Sequence, residues 1–154
     1  MPILRAPDGF RLSGIWTARY RDVRTGRTWR GGVYRNVVCL NGSSVIAAWL
    51  NAEAPALSYW GAVGTGTSAP VNTDTQLGAE LGRVQLASSS RGTNIVLLDF
   101  FFNTGQGNGA LTEAGCFLSA NAGVNSGQLL SHVAISENKT TGVTLTLEFQ
   151  LTIS

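Results

Sequence analysis

The chain has 154 residues and a formal net charge of +2, and its charged fraction of 13% is about half the usual share. Its length suits one domain that buries roughly two thirds of its unfolded surface. We expect neither a membrane span nor a secretory signal, because no apolar run is long enough. Its 19 glycines and many Ser, Thr and Asn residues predict strands and turns rather than long helices.

The charges are unevenly distributed along the chain. Residues 1–40 hold eight arginines against Asp8 and Asp22, a local charge of +6. Residues 41–154 hold three basic residues against seven acidic ones, a local charge of −4. This asymmetry indicates a basic arm or hairpin that docks on something acidic, either nucleic acid or a neighbouring subunit. A solvated hairpin without a partner is the plain alternative.

The first predicted elements are a strand from Phe10 to Trp16 and a hairpin. The hairpin pairs residues 16–23 with residues 27–33 around the turn signal Thr25-Gly26, and Gly31-Gly32 predicts a bulge. Alternation along the first hairpin strand predicts one buried and one exposed face. The buried face would hold Trp16, Ala18 and Tyr20, and the exposed face Thr17, Arg19 and Arg21.

A single helix is predicted from Asn41 to Asn51, with Asn41, Ser43 or Ser44 as its cap and Ala54-Pro55 as its end. At this length it needs a sheet to pack against. Cys39 and Cys116 lie among apolar residues on either side of the central stretch, a setting typical of buried free thiols.

Residues 58–86 form the most distinctive stretch of the chain. A buried strand from Leu57 to Val63 precedes a Gly/Thr/Ser loop, a helical turn from Leu77 to Leu81 and a second strand that starts near Arg83. Glycine widens the accessible backbone conformations and proline narrows them, so we expect a loop of fixed shape. The residues predicted to shape it are Gly64, Gly66 and Pro70.

After a turn predicted at residues 88–92, the strand from Asn94 to Asn103 is apolar on both faces. Ile95, Leu97 and Phe101 would lie on one face, and Val96, Leu98, Phe100 and Phe102 on the other. Such a strand has cover on both sides, here from the opposing sheet and from either the helix or another subunit. Together with the basic hairpin it predicts an assembly surface. The residues of that surface are Arg19, Arg21, Arg24, Arg27, Arg30, Ile95, Leu97, Phe100, Phe101 and Phe102.

Three more strands are predicted at residues 111–118, 128–136 and 142–154, and the last alternates apolar and polar residues throughout. Seven to nine strands with one helix indicate an antiparallel sandwich or barrel. We predict an all-β, jelly-roll-like antiparallel β-sandwich with one short α-helix. Residues 1–154 form a single domain in which residues 1–40 are an Arg-rich strand and hairpin region.

For each candidate functional motif, a purely structural interpretation is favoured. The run from Gly64 to Ala69 matches the dinucleotide fingerprint, but Pro70 stands where the required helix would begin. His132, the only histidine, lacks nearby metal ligands or a nucleophile motif. Asp99 and Glu113 could be a glycosidase pair, although a tie from Asp99 to an arginine is the favoured interpretation. We therefore predict no catalytic residue, no cofactor and no metal site, and no enzymatic activity.

Two blocks of the sequence resemble small tailed-bacteriophage virion proteins and the N-terminal attachment domain of phage tail-collar fibre proteins. The first, residues 59–83, contains V-G-T-G-T-S-A-P, a T-D-T-x-L step and G-A-E-L-G-R. The second, residues 109–154, contains G-x-L-T-E-A-G-C-F, G-Q-L-L-S-H-V-A-I-S and the closing alternating strand. The arginine-rich residues 1–40 fall outside this resemblance.

The resemblance implies a structural role in the virion, as a capsid decoration or cement protein or as a tail, collar or fibre-base component. Its expected partners are copies of itself, as a trimer or another symmetric oligomer, and major capsid or tail/collar proteins. One alternative is a carbohydrate- or receptor-binding β module, with loops 64–75, 104–109 and 119–127 at one end and Trp29, Tyr34 and Trp60 exposed. Nucleic-acid binding through the arginine hairpin is the third and least favoured hypothesis.

Overall fold

A computed structural model describes residues 11–53 and 58–154. The described residues form nine strands and one helix. Their bounds are β1 (Leu12–Asp22), β2 (Thr28–Arg35), β3 (Val37–Val38), α1 (Leu40–Leu50), β4 (Tyr59–Gly64), β5 (Glu80–Arg91), β6 (Ile95–Phe102), β7 (Gly109–Leu118), β8 (Gln128–Lys139) and β9 (Val143–Ile153).

The strands form one antiparallel sheet in the order β2-β1-β9-β6-β5-β4-β7-β8-β3. The predicted all-β class with one short helix is confirmed. The sheet curls into a nearly closed, barrel-like shape, whereas a sandwich would have two separate sheets. The long strand β5 makes the difference, because it pairs with β4 near its start and with β6 near its end. We call β2, β1, β9 and β6 the first half of the sheet, and β4, β7, β8 and β3 the second half.

Side chains of β8 close the gap between the two ends of the sheet. The Glu137 carboxylate accepts hydrogen bonds from the hydroxyls of Tyr20 (2.6 Å) and Tyr34 (2.7 Å) and from the Gly32 amide (2.6 Å). The indole N–H of Trp16 donates to Ser131 Oγ at 2.9 Å. These bonds hold β1 and β2 against β8 where no backbone ladder joins them.

The inner faces of both halves meet in one apolar core. Trp16 is fully buried and stacks on Phe149, with ring centroids 4.8 Å apart. The alternation predicted for the last strand is confirmed, since β9 buries the four inward residues from Leu145 to Leu151. The turn and bulge of the first hairpin are also confirmed, because Gly26 has φ +70° and the β1–β2 register shifts opposite Gly31-Gly32.

Helix α1 packs mainly against β8. A Cβ at Gly42 would lie 2.3 Å from the Leu130 Cα, so only glycine permits this close approach. The predicted side-chain caps are wrong, because the helix begins at Leu40 and its N-cap, Cys39, makes no side-chain cap bond. Backbone bonds fix the entry instead, from Cys39 N–H to the Leu130 carbonyl and from Leu40 N–H to the Asn72 carbonyl. The predicted end at Ala54-Pro55 lies outside the described residues.

Three further boundaries differ from prediction. The helical turn from Leu77 to Leu81 is wrong, because β5 already begins at Glu80 to pair with Gly64. The turn at residues 88–92 is also wrong, because pairing with β6 extends β5 to Arg91. The two predicted strands that met at Trp16 are one continuous strand, β1. Phe10 and Leu57, the predicted starts of two strands, lie outside the described residues.

Candidate functional site

The outer face of the second half is covered by two loops of the same chain, residues 65–79 between β4 and β5 and residues 119–127 between β7 and β8. Leu77, from the first loop, is buried over this face. A second apolar cluster forms beneath the loops, separate from the main core. Its buried members are Cys39, Ala62, Leu77, Phe117, Ala120 and Leu129.

Glu113, a buried carboxylate on β7, anchors the 65–79 loop. Its Oε1 accepts backbone hydrogen bonds from Gly66 at 2.9 Å and Ala79 at 2.8 Å. Its Oε2 accepts one from Gly78 and one from His132 Nε2, both at 2.9 Å. Burial raises the pKa of Glu113, but these four bonds outweigh it and hold the pKa below its ordinary value. The ionised carboxylate therefore joins both ends of the loop to β7.

Gly64 and Gly66 are required by this anchor for a reason that the sequence prediction missed. The positive-φ glycines of the described chain do not include either residue. A Cβ at either position would lie 2.5 Å from Glu113 Oε1, so the carboxylate occupies the space that any side chain needs. Pro70 lies partly buried in the same loop.

His132, on β8, connects this anchor to the middle of the loop. Its Nδ1 lies 2.7 Å from Asp74 Oδ2, and the same Asp74 oxygen accepts the Val71 N–H at 2.8 Å. Both partners of His132 are carboxylate oxygens, which accept hydrogen bonds.

The Glu113–His132–Asp74 cluster borders a shallow polar depression of about 320 Å³ that Ser68 and Thr73 also line. A carboxylate has about four lone-pair positions, and Glu113 uses four. Both nitrogens of His132 are likewise engaged in hydrogen bonds. The arrangement fixes the 65–79 loop against β7 and β8.

A second ionic anchor holds the 119–127 loop. Arg83 makes a bidentate pair with Glu80 at 2.6 and 2.8 Å, and its Nη1 donates to the Ser126 and Asn121 carbonyls. Its guanidinium lies 4.4 Å from the centroid of the Phe117 ring. Both charged side chains are almost fully buried. The buried charged groups Glu113, Glu80 and Arg83 therefore hold the two loops of the second half in place.

The outer face of the first half is different, because no described loop or helix covers it. Strand register places its residues in rows across the sheet. Partly exposed apolar residues on this face include Phe101 at 45%, Val33 at 49% and Ile15 at 37% exposure. Leu97 and Ile95 of β6 lie on the same face and are half-buried.

Arginines and aromatic rings form a groove at one end of this face, which we call the arginine groove. It has a volume of about 590 Å³ and is lined by Arg19, Arg21, Arg30, Trp29, Phe101 and Thr146, among others. The Trp29 ring stacks on Tyr20 with centroids 5.4 Å apart, and its residue is 40% exposed. Arg19 pairs with Glu148, while the hairpin turn beside the groove carries Arg24 and Arg27, both exposed.

The predicted assembly surface is corrected at two positions. Phe100 and Phe102 have no exposed area, because they point into the main core of this chain. Phe101, between them, points outward with Ile95 and Leu97, so the predicted division of this strand into two faces is confirmed. Of the two covers that the sequence left open for this strand, the helix lies against β8 in the second half instead.

Asp99 does not pair with an arginine in the described structure. It lies opposite Glu148 on the outer face of the first half and accepts a hydrogen bond from Ser88 Oγ at 3.0 Å. Its other oxygen is buried without a hydrogen-bond partner. Glu113 lies on the outer face of the second half, so the two acids do not form a carboxylate pair.

Among the described residues, no group of three or more His, Cys, Asp or Glu side chains is arranged to hold a metal ion. Cys39 and Cys116 are both buried and unpaired. Burial raises the pKa of the Cys39 thiol to about 11, with a further contribution from Asp74, and burial also raises the pKa of Cys116. Both thiols therefore remain protonated at neutral pH.

The three loops of the carbohydrate hypothesis do not meet at one end. Strand β7 begins next to the loop at residues 103–108 and ends at the 119–127 loop, so these two loops leave opposite ends of the strand. Tyr34 and Trp60 are half-buried, and Trp29 is the more exposed ring of the three.

No helix within residues 11–53 and 58–154 has the length and apolar content to span a bilayer. Comparisons with protein-family models, with curated proteins and with solved structures gave no match to this chain.

Proposed function

We propose that this chain is a structural protein of a tailed-bacteriophage virion that works through protein–protein contacts. Its place would be on the capsid, as a decoration or cement protein, or in the tail, collar or fibre base. The sequence resemblance suggests this class of protein. Its proposed partners are major capsid or tail/collar proteins and copies of the same chain in a trimer or another symmetric oligomer.

One observation carries the proposal, namely the uncovered outer face of the first half. It combines exposed arginines with three large apolar residues that are more than a third exposed, Ile15, Val33 and Phe101. Arginine and aromatic residues are enriched at protein interfaces. The chain covers the equivalent face of its second half with its own loops, so a partner is needed only on the first.

The charged groups inside the fold support a role in binding over a role in catalysis. Glu113, His132 and Asp74 use their polar atoms to fix the 65–79 loop, and Glu80 and Arg83 fix the 119–127 loop. An acid–base catalyst needs a group that can reach the substrate and exchange a proton with it. Each of these five residues is instead bonded to the chain itself.

The test is peptide mass spectrometry on purified particles of the phage whose genome encodes the chain, after washing in high salt. We expect this protein at a stoichiometry that matches a symmetric position of the particle. A protein found in infected cells but absent from washed particles would contradict the proposal. Analytical ultracentrifugation of the purified chain tests the self-association separately, because a monomer at all concentrations would exclude a free homo-oligomer.

A further inference from the structure

We infer that the arginine groove is the docking site for an acidic segment of a different protein, one whose glutamates or aspartates flank an apolar side chain. This inference rests on the proposed structural function and names the chemistry of the partner. The groove would bind the carboxylates through Arg21 and Arg30 and the apolar side chain against Phe101.

The arginines of the groove repel each other, and an anion from another molecule would relieve this repulsion. Arg19 of β1 lies directly opposite Arg30 of β2, and like charges in such cross-strand pairs repel each other. Arg21 lies two residues along β1 on the same face, roughly 7 Å from Arg19. Glu148 neutralises Arg19 alone. A row of carboxylates spaced along an extended peptide would match the arginines that are left.

The chain itself has no comparable set of carboxylates to offer from a second copy. Described acidic residues are engaged in internal contacts, with the exposed Glu53 bonded only to Asn51. Residues 1–10 carry Arg5 against Asp8 and add no net negative charge. The engaged acids are Asp22, Asp74, Glu80, Asp99, Glu113, Glu137 and Glu148. Contact between two arginine grooves would bring only like charges together, so the partner is a different molecule.

The surroundings of the groove favour a polypeptide over nucleic acid. Phe101 is 45% exposed beside the arginines, and arginine and aromatic residues together are typical of protein interfaces. The next row of the outer face holds Asp99, Glu148 and Val33, so the surface beside the groove has mixed character. A protein surface can complement both charges, whereas a phosphate backbone is negative throughout.

The experiment measures binding of fluorescent probes to the intact chain by anisotropy. The first probe is a peptide in which glutamates alternate with leucine and phenylalanine, and the others are oligoglutamate and oligothymidylate of equal length. The test variant is Arg21→Ser/Arg30→Ser. The control is Arg11→Ser/Arg91→Ser, which removes the same charge from two exposed arginines that do not line the groove.

We expect the mixed peptide to bind the native chain about tenfold more tightly than either homopolymer, because the homopolymers lack the apolar anchor. The groove variant should lose about tenfold in affinity for the mixed peptide, and the control should lose less than about twofold. Equal losses in both variants would overturn the inference, since they would show non-specific attraction to net charge. Tighter binding of oligothymidylate would identify a nucleic-acid site instead.

Two further outcomes distinguish a failure of the docking inference from a failure of the proposed structural function. Self-association of the native chain that disappears in the groove variant would show that the occupant is a second copy, which overturns the inference and leaves the structural role intact. A chain that is absent from particles but binds the mixed peptide through the groove would contradict the structural role and support the docking site.

Discussion

The outer face of the second half is covered by loops, whereas the outer face of the first half is uncovered in the described chain. On the second half, loops 65–79 and 119–127 fold back over β4 and β7 and bury apolar residues beneath them. Buried ionic groups, Glu113 with His132 and Glu80 with Arg83, hold those loops down. On the first half, arginines and apolar residues of β1, β2 and β6 lie at the surface, and the described chain gives them no cover.

This difference distinguishes charges that build the fold from charges that are available to a partner. A buried carboxylate is tolerated only when hydrogen bonds compensate its lost hydration, and Glu113 accepts four of them. Arg21, Arg24, Arg27 and Arg30 are exposed, and the fold does not need their charge. Changes in the second half should therefore affect stability, and changes in the groove should affect association.

The largest effect is expected from Glu113→Gln. The amide would place a donor against backbone N–H groups and leave several bonds unmade, so the free energy of unfolding at pH 7 should fall by about 3–5 kcal/mol. Chemical denaturation followed by circular dichroism measures the change. Glu53→Gln, at an exposed carboxylate, is the matched control and should change stability by less than about 0.5 kcal/mol. Equal effects in both variants would show that the anchor contributes little.

Protonation of Glu113 at low pH should remove its contribution to the free energy of unfolding without a mutation. Since folding lowers the pKa of Glu113 from its ordinary value of 4.5, its contribution is fully present above that value and is lost as the pH falls through the folded pKa. The stability difference between the native chain and Glu113→Gln should therefore shrink on acidification below pH 4.5. Unfolding curves at a series of pH values test this, and a difference that grows with acid would contradict the assigned sign.

Gly66→Ala should have an intermediate effect. Its Cβ would stand 2.5 Å from Glu113 Oε1, so the loop must move and weaken its bonds to the carboxylate, at a cost of about 1–3 kcal/mol. Gly92→Ala is a suitable control, because an added Cβ there meets no atom within 4 Å. Thermal unfolding compares the two variants. A neutral Gly66→Ala would show that the loop is not tightly fitted to Glu113.

The smallest effect on stability is expected from Arg21→Ser/Arg30→Ser. Both arginines are exposed and the substitution also relieves repulsion between Arg30 and Arg19, so the free energy of unfolding should change by less than about 0.5 kcal/mol. Denaturation of this variant and of Arg11→Ser/Arg91→Ser should give matching curves. A clear destabilisation of the groove variant alone would place these arginines among the groups that hold the fold.

Strand periodicity predicted much of this fold from the sequence. Alternation assigned both faces of β1 and β9 correctly, and it separated Phe101 from Phe100 and Phe102 on β6. It could not show whether an outward face stays exposed, because that depends on loops that return from distant parts of the chain. Phe100 and Phe102 were therefore misassigned to a contact surface, and the choice between α1 and another subunit as cover stayed open.

The polar cluster was harder to predict because its partners are far apart in sequence. Glu113 binds the backbone N–H groups of residues 66, 78 and 79. Because almost every residue type has a backbone N–H, the sequence does not show which of them donate to a carboxylate. One signal was present, a single carboxylate inside the apolar strand Leu111–Leu118 that follows a glycine-rich loop. Asp99 gives the same signal on β6 and proved to have a different environment, so the pattern alone could not identify the anchor.

Copies of this chain can be counted per purified particle after complementation with each of the two double-arginine variants, which tests directly whether the first half binds a neighbour. If the first half binds a neighbour through its groove, Arg21→Ser/Arg30→Ser should be depleted about tenfold relative to the native chain, while Arg11→Ser/Arg91→Ser should be retained. Equal incorporation of both variants, each folded as stably as the native chain, would contradict the central claim.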